Sequence, residues 1–559
     1  MRAQCLSFRQ IPHTTKLFID YLSWAHSIRP FYSRSPHFSE WLKDETAAIR
    51  YDAARRARVA DVLEHQNRAW DASPKTIENI GRLRGGASAV VTGQQVGLFG
   101  GPLFSIFKAL STVKLAREST EAGLDCVPIF WLATTDHDLE EISHVSILGA
   151  DGSLQKLSTT TRGVPDAPVG TVTFGSEIDA VVETAATALV DSEVTRYLRE
   201  AYRPGENFGS AFARLFSRMF ADSGVILLDA ADPELQRIAA PIYSAAVERA
   251  AELDEALLAR GKELEAAGYH QQVKVTPSST LLFTVRDGSR IAVQRRAKTR
   301  GGASAEHEFL VKDEVLSPAE MLRRVQAEPE KFSANVLLRP VVQDYLLPTL
   351  AYVGGAAEIA YFGQGAVVYQ ALLGRATPIL PRLSASIVEA KPQALLERYG
   401  MTVPDTFQGP EAVRESLAEH TLPADLQSAF DHASSSLKES LGAIQKSLER
   451  LDKTLVEAAA NAGSKMEHQI EQLRSKAGRA ELRQSEILGR HAEVLSNALY
   501  PNKVLQEREV GGIYFVARHG LEFLQDLYDT LSTECLDHQI ISLSPDRSKA
   551  VTPLRMTTV

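Results

Sequence analysis

Two short stretches of this 559-residue chain combine residue types that can hold an anion and move a proton. The first, Gly93-Gln-Gln-Val-Gly-Leu-Phe-Gly-Gly-Pro102, carries four glycines. Glycine lets backbone N–H groups come close to a ligand, and at a helix start those groups favour negative charge. Gln94 and Gln95 add amides, and Thr92 a hydroxyl, on the same segment. The glycines fall at 93, 97, 100 and 101, which fits neither the G-x-x-x-x-G-K-S/T phosphate loop nor the G-x-G-x-x-G dinucleotide fingerprint. Gly97 and Gly100 are the positions where a close approach or a positive φ would matter. The second stretch, Thr134-Thr-Asp-His-Asp138, offers Asp136, His137 and Asp138 to accept a proton, orient an imidazole or hold Mg²⁺. His144 follows His137 by seven residues, which is no zinc spacing, so no metal centre is expected. A third stretch, Asn335 to Tyr345, precedes Glu358 and Tyr361 and contributes Arg339 and Gln343. Arg339 is planar and always charged, suited to a carboxylate or phosphate. An ion pair with Glu358 or Asp344 is the alternative use for it.

These residues need elements to place them. Ala87–Thr92 is a short run of small and β-branched residues, typical of a buried strand, and it feeds the glycine loop. Leu103, Ile106, Phe107, Leu110, Val113 and Ala116 then share a helical face, with Lys108 off it, before the apolar strand Val127–Ala133. Strand, glycine turn, helix, strand is a βαβ unit and predicts a parallel sheet. Both candidate loops would then leave the carboxyl ends of neighbouring strands, where ligands bind in open parallel sheets. Gly224–Asp229 reads as another such strand, and Ser278–Gln294 as a hairpin turning at Asp287-Gly288. Residues 335–384 read as short apolar strands and glycine turns. Leu437, Leu441, Ile444, Leu448, Leu451 and Leu455 keep heptad spacing that resumes at Met466. That predicts two long helices, a rod or an antiparallel hairpin, broken at Asn461-Ala-Gly463. The fold class is therefore α/β with a long helical coiled coil. The organisation expected is a mostly helical segment over 1–85 and a core over 86–384 with insertions in about 150–330. A connecting segment over 385–429, the coiled coil over 430–500 and a globular return over 501–559 follow.

Composition narrows the function. Acidic residues exceed basic ones, 70 against 61, so nothing pulls the chain toward nucleic acid or an anionic membrane. Leu346–Gly374 is long and apolar, but Pro348, its glycines and Glu358 argue for a soluble core. Cys5, Cys126 and Cys535 are odd in number and far apart, which reads as three free structural thiols in a reducing compartment. No signal peptide is visible, and a cytoplasmic protein is expected.

Four stretches, VVTGQQVGLFGGPLFSIFKA, VPIFWLATTDHDLEEISHV, NVLLRPVVQDYLLPTLAYVGGAAEIAYF and LYPNKVLQER, stand beside the PRLSAS segment and the heptads. Together they resemble the bacillithiol-biosynthesis cysteine-adding family, BshC, from about residue 31 to near residue 530. That resemblance implies a Rossmann-like core with connecting-peptide insertions and a coiled coil that makes a homodimer. It implies a ligase joining L-cysteine to the amine of glucosaminyl-malate, the last step of bacillithiol synthesis. A carboxylate resists attack by an amine, so ATP with Mg²⁺ is the expected means of activation. In that reading the glycine loop, Lys108 or Arg339 neutralises phosphate, Asp136 or His137 takes the ammonium proton, and Asp138 holds the imidazole or Mg²⁺. A nucleotidyl transfer on another small substrate, or a non-catalytic coiled-coil partner of the pathway, are the alternatives.

Overall fold

Residues 88–94 carry no charge, and all but the last of them are buried, as a strand covered on both faces must be. The computed structural model describes residues 1–161, 163–190, 192–297, 307–419, 424–452, 454–484 and 486–543. In chain order its strands are β1 (Arg2–Leu6), β2 (Ser88–Gln94), β3 (Cys126–Leu132), β4 (His144–Leu148), β5 (Leu154–Ser158), β6 (Ile226–Asp229), β7 (Ser279–Arg286) and β8 (Ser289–Ala297). They continue with β9 (His307–Val311), β10 (Glu314–Leu316), β11 (Phe332–Ala334), β12 (Thr349–Gly354), β13 (Ile379–Pro381), β14 (Ala385–Val388) and β15 (His538–Ser542).

The central sheet has the order β13-β12-β2-β3-β6, and every pairing in it is parallel. The helix Phe104–Glu121 joins β2 to β3, as the βαβ pattern predicts. A second sheet, β10-β9-β8-β7-β11, is antiparallel and inserted between β6 and β12. Its β7–β8 turn places Asp287 at φ 54° and Gly288 at φ 81°, the two left-handed residues an Asp-Gly hairpin needs. Upstream, Ser73 caps the helix Pro74–Gly85 by accepting from the N–H of Thr76.

Four expectations change. Residues 335–374 are not mainly strands. Asn335 accepts from the N–H groups of Leu337 and Leu338 and starts the helix Arg339–Leu346, and β12 is followed by the helix Ala356–Leu373. Residues 359–365 of that second helix are buried without interruption, so no polar face marks its period. Second, the long helices Ala424–Leu448 and Thr454–Gln484 break near residue 452 and not at Gly463. The ion pairs Asp431–Arg474 and Lys438–Glu467 are symmetric about that point, so the two helices run antiparallel. Gly463 is the close contact of the hairpin, since a Cβ there would meet Leu441 at 2.8 Å. Third, Cys5 and Cys535 form a disulfide. Antiparallel pairing of β1 with β15 brings the two ends of the chain together, which spacing in the sequence does not reveal. Cys126 alone is free, buried, with its thiol pushed up to about 12 by that burial. Fourth, Arg339 forms neither of the ion pairs offered as its alternative use and donates instead to Gln343, Tyr352 and Tyr361. Among the described residues no helix is long and apolar enough to cross a membrane.

Candidate functional site

The carboxyl ends of β2, β3 and β12 open into a cavity of about 720 Å³. Gly93, Gln94 and Gln95 line it from β2, Asp136 and His137 from the loop after β3, and Tyr352, Gly355 and Glu358 from β12 and the helix that follows. The inserted sheet closes one side with Leu282, Phe283 and Arg290. Arg382 and Arg508 complete the wall.

One polar network holds the floor. Lys108, almost wholly buried, donates to Gly93 O at 2.7 Å, Gln94 Oε1 at 2.9 Å and Glu358 Oε2 at 2.6 Å. Three N–H donors meet three protein acceptors, so the ammonium is saturated. Glu358 also accepts from the Tyr352 hydroxyl at 2.6 Å and from the Gly355 N–H at 2.8 Å. Burial opposes charge on Glu358, but Lys108 and these donors outweigh it and hold the carboxyl below its usual range. Arg339 donates to Gln343 Oε1 at 3.1 Å and to the hydroxyls of Tyr352 at 3.3 Å and Tyr361 at 2.9 Å. Gln343 turns its amide to Asp344, and burial pushes the Tyr361 phenol up to about 12.

Asp136 and His137 form a second group. Asp136 Oδ2 accepts from Gln95 Nε2 at 2.9 Å, and Oδ1 accepts from the backbone N–H of His137. Asp138 does not line the cavity and caps the helix Leu139–Ile142 by accepting from the Glu141 N–H. Thr92 spends its hydroxyl on Val353 O, stitching β2 to β12. Neither Gly97 nor Gly100 reaches the cavity. A Cβ on Gly97 would sit 2.9 Å from Gly101 Cα, and Gly100 has φ +89° against Phe216. These two glycines therefore shape the loop itself.

Of the residues the sequence singled out for the site, the structure brings Gly93, Gln94, Gln95, Lys108, Asp136, His137, Arg339 and Glu358 to one cavity. Thr92, Gly97, Gly100, Asp138 and Gln343 stand behind its walls. Sequence reasoning missed Arg290, which no motif marks. It also left Arg382, Glu507 and Arg508 without a role, although PRLSAS and LYPNKVLQER contain them. Glu507, 1% exposed, accepts from Arg382 at 2.6 Å, Ser384 at 2.9 Å and the Ala385 N–H at 3.0 Å. A carboxylate from the far end of the chain thus fixes a guanidinium in the cavity wall.

Comparison with known proteins places the chain in a family and divides it in two. The family model described as "Bacillithiol biosynthesis BshC, N-terminal Rossmann-like domain" matches residues 1–383, and the BshC C-terminal coiled-coil domain model matches residues 385–543. This chain belongs to the BshC family. A relative in Koribacter versatilis is 48% identical over 541 residues, covering 97% of this chain and all of its own length. Relatives in Solibacter usitatus and Salinibacter ruber are 35% and 34% identical over 544 and 538 residues, covering 97% and 94% of this chain and 100% and 96% of their own. All three are named as BshC cysteine ligases. The boundary between the two BshC domains falls at residue 384, beside the contact in which Glu507 of the second grips Arg382 of the first.

Proposed function

We propose that the chain is a cytoplasmic cysteine ligase that forms the amide between L-cysteine and the amine of glucosaminyl-malate, the last step of bacillithiol synthesis. Family membership over residues 1–383 and 385–543 carries the reading. The cavity supports it chemically. Its size suits two small substrates. Five cations line it (Lys108, Arg290, Arg339, Arg382, Arg508) against three carboxylates (Asp136, Glu141, Glu358), an excess of two positive charges that favours an anionic substrate.

The division of roles follows from which groups are already engaged. Lys108 is saturated by protein acceptors and serves the reaction by holding Gly93, Gln94 and Glu358 in place. The Arg508 guanidinium has no hydrogen-bond partner among the described residues and is free to meet a malate carboxylate or a phosphate. Arg339 offers its face and charge from a fixed position between two tyrosines. Asp136 or His137 takes the proton from the glucosamine ammonium, leaving the free amine to attack. ATP with Mg²⁺ would activate the cysteine carboxylate, and the net positive wall fits such a polyanion. Among the described residues no cluster of three or more His, Cys, Asp or Glu is built to hold a metal by itself. The helical hairpin supplies a homodimer contact, since Ile444, Leu451 and Leu473 remain at least half exposed on it.

The test is direct. Purified protein incubated with cysteine, glucosaminyl-malate and ATP should yield the amide, seen by mass spectrometry as the sum of the two substrates less one water. A folded protein that makes no such product under these conditions overturns the assignment.

A further inference from the structure

Arg290 reaches the site from the inserted sheet as the second residue of β8, two beyond Gly288, and its side chain is only 7% exposed. Six contacts fix it. Nε donates to Ser333 Oγ at 3.1 Å, Nη2 to Ala334 O at 2.9 Å, and the backbone N–H to Asp166 O at 2.8 Å. The guanidinium lies 3.8 Å from the Phe283 ring centroid. The remaining nitrogen, Nη1, points at His137 Nδ1 from 3.0 Å and lies 3.4 Å from Asp136 Oδ1.

A guanidinium has donors and no acceptor. For the 3.0 Å contact to be a hydrogen bond, His137 Nδ1 must present its lone pair, and the ring proton must sit on Nε2. An imidazolium would set N–H against N–H beside a like charge. Asp136 is the competing partner, because its Oδ1 lies 3.4 Å from the same Nδ1. That oxygen already accepts the His137 backbone N–H at 2.9 Å, and the Arg290 contact is the shorter. Asp136 and Arg290 are the charged groups in contact with the imidazole. His137 Nε2 has no partner among the described residues, while the residue lines the cavity.

We propose that Arg290 is a positioning residue that locks His137 as the neutral Nε2–H tautomer, making it a hydrogen-bond donor to a substrate oxygen and not the base of the reaction. The proton leaving the ammonium then goes to Asp136, whose Oδ2 accepts only from Gln95. This assignment of roles rests on the ligase reading, but the tautomer itself does not.

Two measurements test it. In protein labelled with ¹⁵N at histidine, one- and multiple-bond couplings at about pH 8 should show His137 Nδ1 unprotonated and Nε2 protonated. In Arg290→Gln the two tautomers should mix, with Arg290→Lys restoring part of the wild-type behaviour. A protonated Nδ1 in the wild type overturns the proposal, and that spectrum decides even where Arg290→Gln fails to fold. For the role, His137→Gln keeps an N–H donor and should stay within ~10-fold of wild-type kcat, whereas His137→Ala should fall ~100-fold. Equal loss in both folded variants restores His137 as the base. A wild type with the expected tautomer and no amide product would instead refute the function alone.

Discussion

Replacing Lys108 with Met separates a structural anchor from a substrate contact. Lys108 and Glu358 are 4% and 16% exposed at their side chains and 2.6 Å apart. Their gross attraction is about 6 kcal/mol at an effective dielectric of about 20, and much of it offsets the cost of burying both charges. Removing one partner strands the other. Met fills the space of the Lys stem but leaves the Glu358 carboxylate with only the Tyr352 hydroxyl and the Gly355 N–H. The expected loss is about 3–5 kcal/mol, read by urea unfolding at fixed m. Glu358→Gln added to Lys108→Met removes the stranded charge, so the double variant should recover at least ~1 kcal/mol relative to the sum of the singles. The sign of the pH dependence is fixed by Glu358. Its folded pKa is depressed, so the stability it supplies is present above about pH 4.3, its unfolded value, and is lost as pH falls through the lower folded value. The gap between wild type and Glu358→Gln should therefore narrow below about pH 4. Turnover gives the second readout. An anchor predicts that the double variant retains more activity than Lys108→Met. A cost below about 1 kcal/mol, or single losses that simply add, would refute the anchor.

Gly97→Ala should lower stability by about 1–3 kcal/mol because its Cβ meets Gly101 Cα, a backbone atom that cannot move aside, and an unchanged melting temperature would show the loop is not that tight. Gly100→Ala should cost about 1 kcal/mol or more through its positive φ, checked by the same melt. His538 sits wholly buried between Ser384 and Ser386, and burial lowers its pKa to about 4. The unfolded chain therefore binds that proton first, and between about pH 6.5 and 4 stability should fall by about 3 kcal/mol, a component that His538→Asn should lack in urea titrations at pH 7 and 5. Ile444→Asp with Leu473→Asp alters exposed positions of the hairpin, and light scattering should report a dimer for the wild type and a monomer for the variant.

What could be read from the sequence, and what could not, divides along physical lines. The glycine loop and Asp136-His137 were legible as neighbours because one βαβ unit joins them, and a local crossover fixes which strands lie side by side. The helix Ala356–Leu373 was misread because unbroken burial over residues 359–365 erases the 3.6-residue period that would have declared it. Arg290 was invisible for a different reason. It lies 153 residues from His137 in sequence, and only the folding of the inserted sheet over the core brings the two together. The Asp287-Gly288 turn was legible, yet a turn specifies which residues pair across it and says nothing about where the hairpin docks. The same limit applies to Glu507 and Arg382, 125 residues apart.

Such long-range contacts also explain why the motif residues split as they do. Gly97, Gly100, Thr92 and Gln343 occupy the most recognisable stretches, but each spends its special property on its own wall: a close approach, a positive φ, a cross-strand hydrogen bond, a grip on Arg339. Arg508 and the Nε2 of His137 keep donors in the cavity without a partner among the described residues, and both face groups from other parts of the chain. A saturated residue can shape a site, but only an unsaturated one has a hydrogen bond left to give a substrate. On that argument a distant partner that saturates one end of a side chain, as Arg290 does for His137, decides what the other end can offer.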